Sequence, residues 1–195
     1  MKLVAEGLAC ERNGRSVFSD LNFVVASGSL AQLRGPNGAG KSSLLRMMAG
    51  LVPVASGAVM LDGQSDMARQ SHLIAHQDAL KANMTVAENL AFWCVVLGGG
   101  GVAAALNAFG MEALRDERVQ LLSAGQRRRL SLSRLFLVKR PLWLLDEPTT
   151  ALDATSQQAL VKHMWEHLGD GGLIVAATHG PLGLASTQLI ELGQS

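Results

Sequence analysis

Neither sign of charge prevails in this chain: 17 lysines and arginines stand against 16 aspartates and glutamates, a net charge of +1. That balance offers no global field to nucleic acid or to an anionic lipid surface, so any basic surface must be local. Cysteine is scarce as well. Cys10 and Cys94 lie far apart without metal-ligand spacing, which argues against a disulfide scaffold and suits two free thiols in a reducing compartment. No internal repeat or low-complexity linker is present.

Long apolar runs are lacking too. In "MKLVAEGLAC" Glu6 interrupts the run after three apolar residues, short of the about 7 to 15 that a secretory segment needs, and the stretch reads as a first β-strand. Residues 89–111, "NLAFWCVVLGGGGVAAALNAFGM", carry no charge and are nominally long enough to cross a bilayer. Four consecutive glycines stand in the middle, each costing a helix roughly 1 kcal/mol relative to alanine. The segment therefore predicts two short helices, 85–97 and 102–115, joined by Gly98 to Gly101.

What is present alternates between strand and helix. Short apolar runs at 29–35, 57–63, 71–77, 141–147 and 172–179 read as strands, the second ended by the turn pair Asp62-Gly63. Helices are expected from the glycine-lysine pair at 40–41 to Gly50, over 123–140, and over 154–168, where Leu160, Val161, Met164, Trp165 and Leu168 form the apolar face. Residues 79–120 contain no convincing strand and read as a mostly helical insert. Alternation of this kind predicts an α/β domain spanning 1–195, its mostly parallel sheet flanked by helices, with a small helical subdomain at about 79–135.

Gly35-Pro36-Asn37-Gly38-Ala39-Gly40-Lys41-Ser42 matches G-x-x-x-x-G-K-[ST] at every position, between a strand and a helix. Small residues let successive backbone N–H groups turn inward around phosphate oxygens, with a helix N-terminus behind them. Lys41 can reach the terminal phosphates, and Ser42 can hold Mg²⁺. A second piece, "LWLLDE", puts Asp146 and Glu147 at the end of a buried strand, where ligands gather in such sheets. Asp146 suits the metal and Glu147 the attacking water.

With those motifs the chain resembles the ATP-binding subunits of ABC transporters, a class of P-loop NTPase. "LSAGQ" (122–126) resembles the family's signature, "ALD" (151–153) its D-loop, His179 its switch histidine, and Gln77 its Q-loop glutamine. The resemblance implies catalytic roles for Glu147, His179 and Lys41. It also implies that Gly35 through Ser43 bind ATP, and that Ser42, Gln77 and Asp146 hold Mg²⁺. Ser123, Ala124, Gly125 and Gln126 would close on the nucleotide of a second subunit in an ATP-dependent head-to-tail homodimer, with Asp153 beside them. Ala124 stands where the family usually has glycine. No aromatic base platform is evident in "CERNGRSVF"; Arg12 falls there by register, and a guanidinium plane can stack on a base.

Within the family the chain is similar to the ATPases of the bacterial haem exporter for cytochrome c maturation. That likeness implies a peripheral protein on the cytoplasmic face of the inner membrane, partnered by the membrane subunit CcmB, with CcmC nearby and a functional link to release of haem-loaded CcmE. The alternatives are another small ABC exporter or an ATP-gated assembly module. The run Arg127 to Arg129, with Arg134, Lys139 and Arg140, reads as a solvated helix face or a transporter contact, with no nucleic-acid partner. His72 and His76 lie on a predicted strand. His163 and His167 fit H-x-x-E-H but lack a third ligand, so zinc chemistry is not expected.

Overall fold

Whether a strand faces water on one side or protein on both decides how its side chains alternate, and this chain has both kinds. A computed structural model describes residues 1–12 and 14–193. In chain order it contains β1 (Lys2–Arg12), β2 (Arg15–Ala26), β3 (Leu30–Arg34), α1 (Lys41–Met48), β4 (Ser56–Leu61), α2 (Met67–Gln70) and β5 (Ser71–Ile74). There follow α3 (Val86–Leu97), α4 (Val102–Ala108), α5 (Ala124–Ser133), β6 (Leu142–Asp146), α6 (Ala154–Gly169), β7 (Leu173–Ala177) and β8 (Gln188–Glu191).

The central sheet has the order β5-β6-β7-β3-β8 and is parallel at every pairing. Both β6 and β7 are buried throughout. Because side chains alternate along a strand, each sends residues into two separate cores. Leu142, Leu144, Leu173 and Val175 join Leu44, Leu45 and Met48 of α1. Trp143, Leu145, Ile174 and Ala176 join Leu160 and Met164 of α6 and the helical region on the other face. A second sheet, β2-β1-β4, is antiparallel and closes the first core.

Several expectations are corrected here. The apolar run at 57–63 becomes β4, which pairs with β1 in the antiparallel sheet instead of extending the parallel one. The expected helix over 102–115 ends at Ala108, and after Gly110 at φ 61° only a single 3₁₀ turn, Glu112–Leu114, follows. The helix expected over 123–140 ends at Ser133 and continues as a 3₁₀ turn, Arg134–Phe136. On α6 the apolar face is narrower than predicted: Leu160 and Met164 are buried and Leu168 packs against them, but Trp165 is 65% exposed. Five residues beyond Leu160, it lies about 140° around the helix.

The four glycines end α3 as expected, with Gly98 capping it at φ 71°. They also serve close packing. A Cβ on Gly99 would strike the Leu137 carbonyl, and one on Gly101 the Phe136 carbonyl, while the N–H groups of Gly100 and Gly101 both donate to Leu137 O, at 3.2 and 3.1 Å. Among the described residues no helix is long and apolar enough to cross a membrane. The histidine pair of the H-x-x-E-H stretch is occupied in packing: His163 meets the rings of Phe109 and Phe136, and His167 stacks on Trp143 at 4.0 Å. Both cysteines are buried and free.

Gly99→Ala is expected to destabilise the fold by about 1 to 3 kcal/mol in urea unfolding, because backbone must shift to admit the methyl. Gly100→Ala, with open space at its Cβ, is expected to stay within about 0.5 kcal/mol of the parent. His72 gives a second test. Burial pushes its pKa down to about 4, against a bond between Nε2 and Val138 O at 2.8 Å. Between pH 6.5 and 4 the unfolded chain therefore binds a proton that the folded chain refuses, and stability falls as pH falls through that window, by on the order of 3 kcal/mol. Unfolding free energies of His72→Gln across that range are expected to show a shallower slope, with the remainder due in part to His167, which burial shifts in the same direction.

Candidate functional site

Between β3 and α1 the chain must turn tightly against the strands around it, and two glycines make this possible. A Cβ on Gly35 would strike the Leu192 carbonyl, and Gly40, at φ 98°, has the side chains of Val17 and Phe18 where its own would be. The first turn of α1 has no side-chain cap and no acidic residue. Its free amides and the positive end of its dipole are thus left for an anion. Lys41 Nζ donates to the carbonyls of Gly35 (2.7 Å) and Pro36 (3.1 Å). An ammonium has three protons, so one remains for a phosphate oxygen.

Opposite the loop, β6 ends in the buried Asp146. Glu147 follows at φ 47°, a left-handed conformation that costs a residue with a side chain about 1 to 3 kcal/mol. Surrounding bonds hold it there. Its N–H donates to Ala177 O at 2.8 Å, and its Oε1 accepts the His179 N–H at 3.0 Å. Oε2 accepts the Thr178 hydroxyl at 3.4 Å, and His179 Nε2 lies 3.8 Å from Oε1. The imidazole is 60% exposed and the Glu147 side chain 21%, so both reach the cleft.

That cleft measures about 650 Å³ and brings together most of the residues singled out in the sequence: Arg12, Asn37, Gly38, Gly40, Lys41, Ser42, Ser43, Gln77, Asp146, Glu147 and His179. Gly35 lines an adjoining cleft. Ala39 turns its methyl into the core, and its N–H donates to Pro36 O at 3.2 Å within the loop. The hydroxyl of Ser42, the amide of Gln77 and the carboxylate of Asp146 form an oxygen donor set of the kind Mg²⁺ takes together with phosphate oxygens. Arg46, His76 and Thr150 line the cleft as well and were missed, since none belongs to a recognisable pattern.

The signature and D-loop residues stand elsewhere. Ser123 caps α5 in a capping box, its hydroxyl accepting the Gln126 N–H at 3.2 Å while Gln126 Oε1 accepts the Ser123 N–H at 2.8 Å. A serine hydroxyl has one proton besides its acceptor lone pairs, and the cap leaves that proton free. Ala124 and Ser123 are exposed. Gly125 lies so close to the D-loop that a Cβ would come within 2.9 Å of Ala151 O. Asp153 caps α6 by accepting the Ser156 N–H at 2.7 Å, and bonds from Ser156 hold its carboxyl below the usual range.

The basic run departs from expectation. Arg128 and Arg134 are 3% and 5% exposed, Arg127 and Arg129 are half-buried, and Lys139 alone stands well in solvent. Arg134 donates to Asp78 O at 3.2 Å and Leu73 O at 2.9 Å and stacks over Trp93 at 4.3 Å, its pKa pushed down by burial to about 10, so it stays charged at neutral pH. Contiguous in sequence, these arginines look like one solvated face; on a helix they point in different directions.

Residues 18–150 match the model of the ABC transporter family. The chain belongs to that family. Two cytochrome c biogenesis ATP-binding export proteins, both CcmA, resemble it over 97% of either chain, at 51% identity in Nitrobacter winogradskyi and 50% in a Rhodopseudomonas palustris strain. A solved ATP-binding subunit of an ABC transporter superposes with a TM-score of 0.89 at 25% identity, covering 98% of this chain and 86% of that one. As an ABC ATP-binding domain, the chain is an ATPase coupled to transport, built on the P-loop NTPase fold.

Ser123→Ala is expected to cost about 1 kcal/mol of stability through loss of the cap. Ser123→Asn, which keeps an acceptor there, is expected to recover most of it in the same urea titration.

Proposed function

We propose that this chain is the ATP-hydrolysing subunit of a bacterial haem-export complex serving cytochrome c maturation. The observation that carries the reading is the meeting, at one cleft, of an amide-lined loop, a lysine with a spare proton and a strand-end carboxylate pair, in a chain about half identical to CcmA proteins over nearly its whole length. The whole chain works as one ATPase domain, with residues 79–135 as its helical subdomain.

In this reading the ATP polyphosphate lies against the loop of residues 35–43 and the free amides at the N-terminus of α1, with Lys41 on the terminal phosphates. Arg12 offers its guanidinium plane to the base. Ser42, Asp146 and Gln77 would hold Mg²⁺, which supplies charge neutralisation to the phosphates. Glu147 accepts a proton from water as the water oxygen bonds to the γ-phosphorus and the bond to the ADP oxygen breaks. The bonds from His179 N–H and Thr178 fix the carboxylate in place, and the His179 ring turns to the γ-phosphate.

A second copy, arranged head to tail, supplies Ser123, Ala124, Gly125 and Gln126, with Asp153 of each chain near the shared boundary. The free hydroxyl proton of Ser123 suits a γ-phosphate oxygen. The chain sits on the cytoplasmic face of the inner membrane against CcmB, near CcmC, and its turnover drives release of haem-loaded CcmE. Val95 and Val96, adjacent on α3 and 84% and 56% exposed, support a docked partner there.

Glu147→Gln in the complex that co-purifies with the full chain is expected to bind ATP normally and to lose hydrolysis by on the order of 10² to 10⁴-fold. Light scattering with ATP and Mg²⁺ is expected to find this variant as a trapped dimer, and cells carrying it are expected to lack mature c-type cytochromes. Normal hydrolysis by Glu147→Gln would remove its catalytic role, and normal cytochrome content beside a dead ATPase would remove the coupling.

A further inference from the structure

Arg128 occupies a place that the motifs leave unexplained. It lies five residues past the Ser123 cap, about 7.5 Å along the axis of α5, and is buried. One of its terminal nitrogens, Nη1, donates to Ala75 O at 2.9 Å and Asp78 Oδ1 at 3.1 Å, in the segment that carries Gln77. The other, Nη2, donates to Asp146 O and Glu147 O, both at 2.8 Å. Its Nε is buried without a partner, so the side chain keeps this position at the expense of one unsatisfied donor.

The Glu147 backbone is left-handed, and a fork of two N–H groups grips the carbonyls on both sides of that φ. The planar guanidinium fixes relative positions as well as charge, because its donors cannot move independently. Any displacement of α5 along its axis would therefore be felt by the Glu147 main chain and by the loop bearing Gln77 together.

We propose that Arg128 is a positioning residue, which couples the signature end of α5 to the orientation of the Glu147 carboxylate and to the Gln77 loop. It touches no reacting atom. It holds the peptide from which Glu147 projects, so engagement of Ser123 by nucleotide is transmitted through α5 to the carboxylate. The proposal rests on Glu147 being the residue that handles the attacking water.

The test uses the complex that co-purifies with the full chain. Arg128→Met is expected to lower kcat for ATP by on the order of 10 to 100-fold and to leave KM within about twofold, since only a step after binding is disturbed. Arg128→Lys keeps the charge without the fork and is expected to lie nearer to Arg128→Met than to wild type. In single turnover, Arg128→Met added to Glu147→Gln is expected to cause no further loss, which a merely destabilising change would not reproduce. Should Arg128→Met not fold, the Lys variant is read by the same three criteria.

Arg128 variants that turn over like wild type while Glu147→Gln is inactive would overturn this proposal alone. Losses that multiply in the double variant, or a KM rise that accounts for the whole effect, would overturn it too. Wild-type turnover in Glu147→Gln would instead overturn the catalytic reading on which it rests.

Discussion

Ala177 stands in register with Asp146 on one side and with Leu33 on the other, and this shared register of β6, β7 and β3 decides where chemistry can occur. Parallel pairing makes all three strands end at the same edge, so the segments that leave them, Gly35 to Gly40, Glu147, and Thr178-His179, emerge side by side. The bond from Glu147 N–H to Ala177 O carries the pairing one residue beyond β6. A slip of one residue in β6 would exchange Trp143 and Leu145 with Leu142 and Leu144 between the two cores, so burial itself locks the register on which the site depends.

The helical region packs on that sheet through the second apolar core, and buried polar groups fix the loop that leads into it. Asn89, fully buried, accepts the Lys81 N–H at 2.8 Å and donates to Lys81 O and Thr85 O, both at 3.0 Å, tying the loop before α3 to the helix itself. Arg134 holds the other end of the same loop through Asp78 O and Leu73 O. Apolar contacts are non-directional and tolerate sliding; hydrogen-bonded carbonyls tolerate much less. Polar anchors of this kind fix the loop that carries Gln77 against α3 and against the turn that ends α5.

How much of this could be read in the sequence depended on whether a position demanded one residue type. Gly35 and Gly40 stand where a Cβ has no room, and Asp146-Glu147 follow an apolar run that only a strand buried on both faces accommodates, so the site was legible at both ends. β2 was not read, because the shifts in register along its pairing with β1 break the period-two pattern, and Asp20 turns left-handed within it. β8 is four residues long and has only one buried position. The buried arginines were hidden for a different reason: a run of like residues gives no hint of which will find carbonyl partners across 50 or more positions of chain.

Composition was silent about a phosphate site for a reason that the cleft makes plain. Its lining holds three cationic side chains, Arg12, Lys41 and Arg46, against the carboxylates of Asp146 and Glu147. Side chains alone therefore leave a small positive excess, like that of the whole chain, and far less than a nucleoside triphosphate carries in negative charge. The rest must come from groups that every sequence has, namely main-chain amides aligned by a glycine-rich turn and a helix start. Amides need no counter-charge in the unliganded protein. A site built on them can keep two carboxylates beside the phosphates, one suited to metal and one to water, where a nest of lysines would have neutralised both.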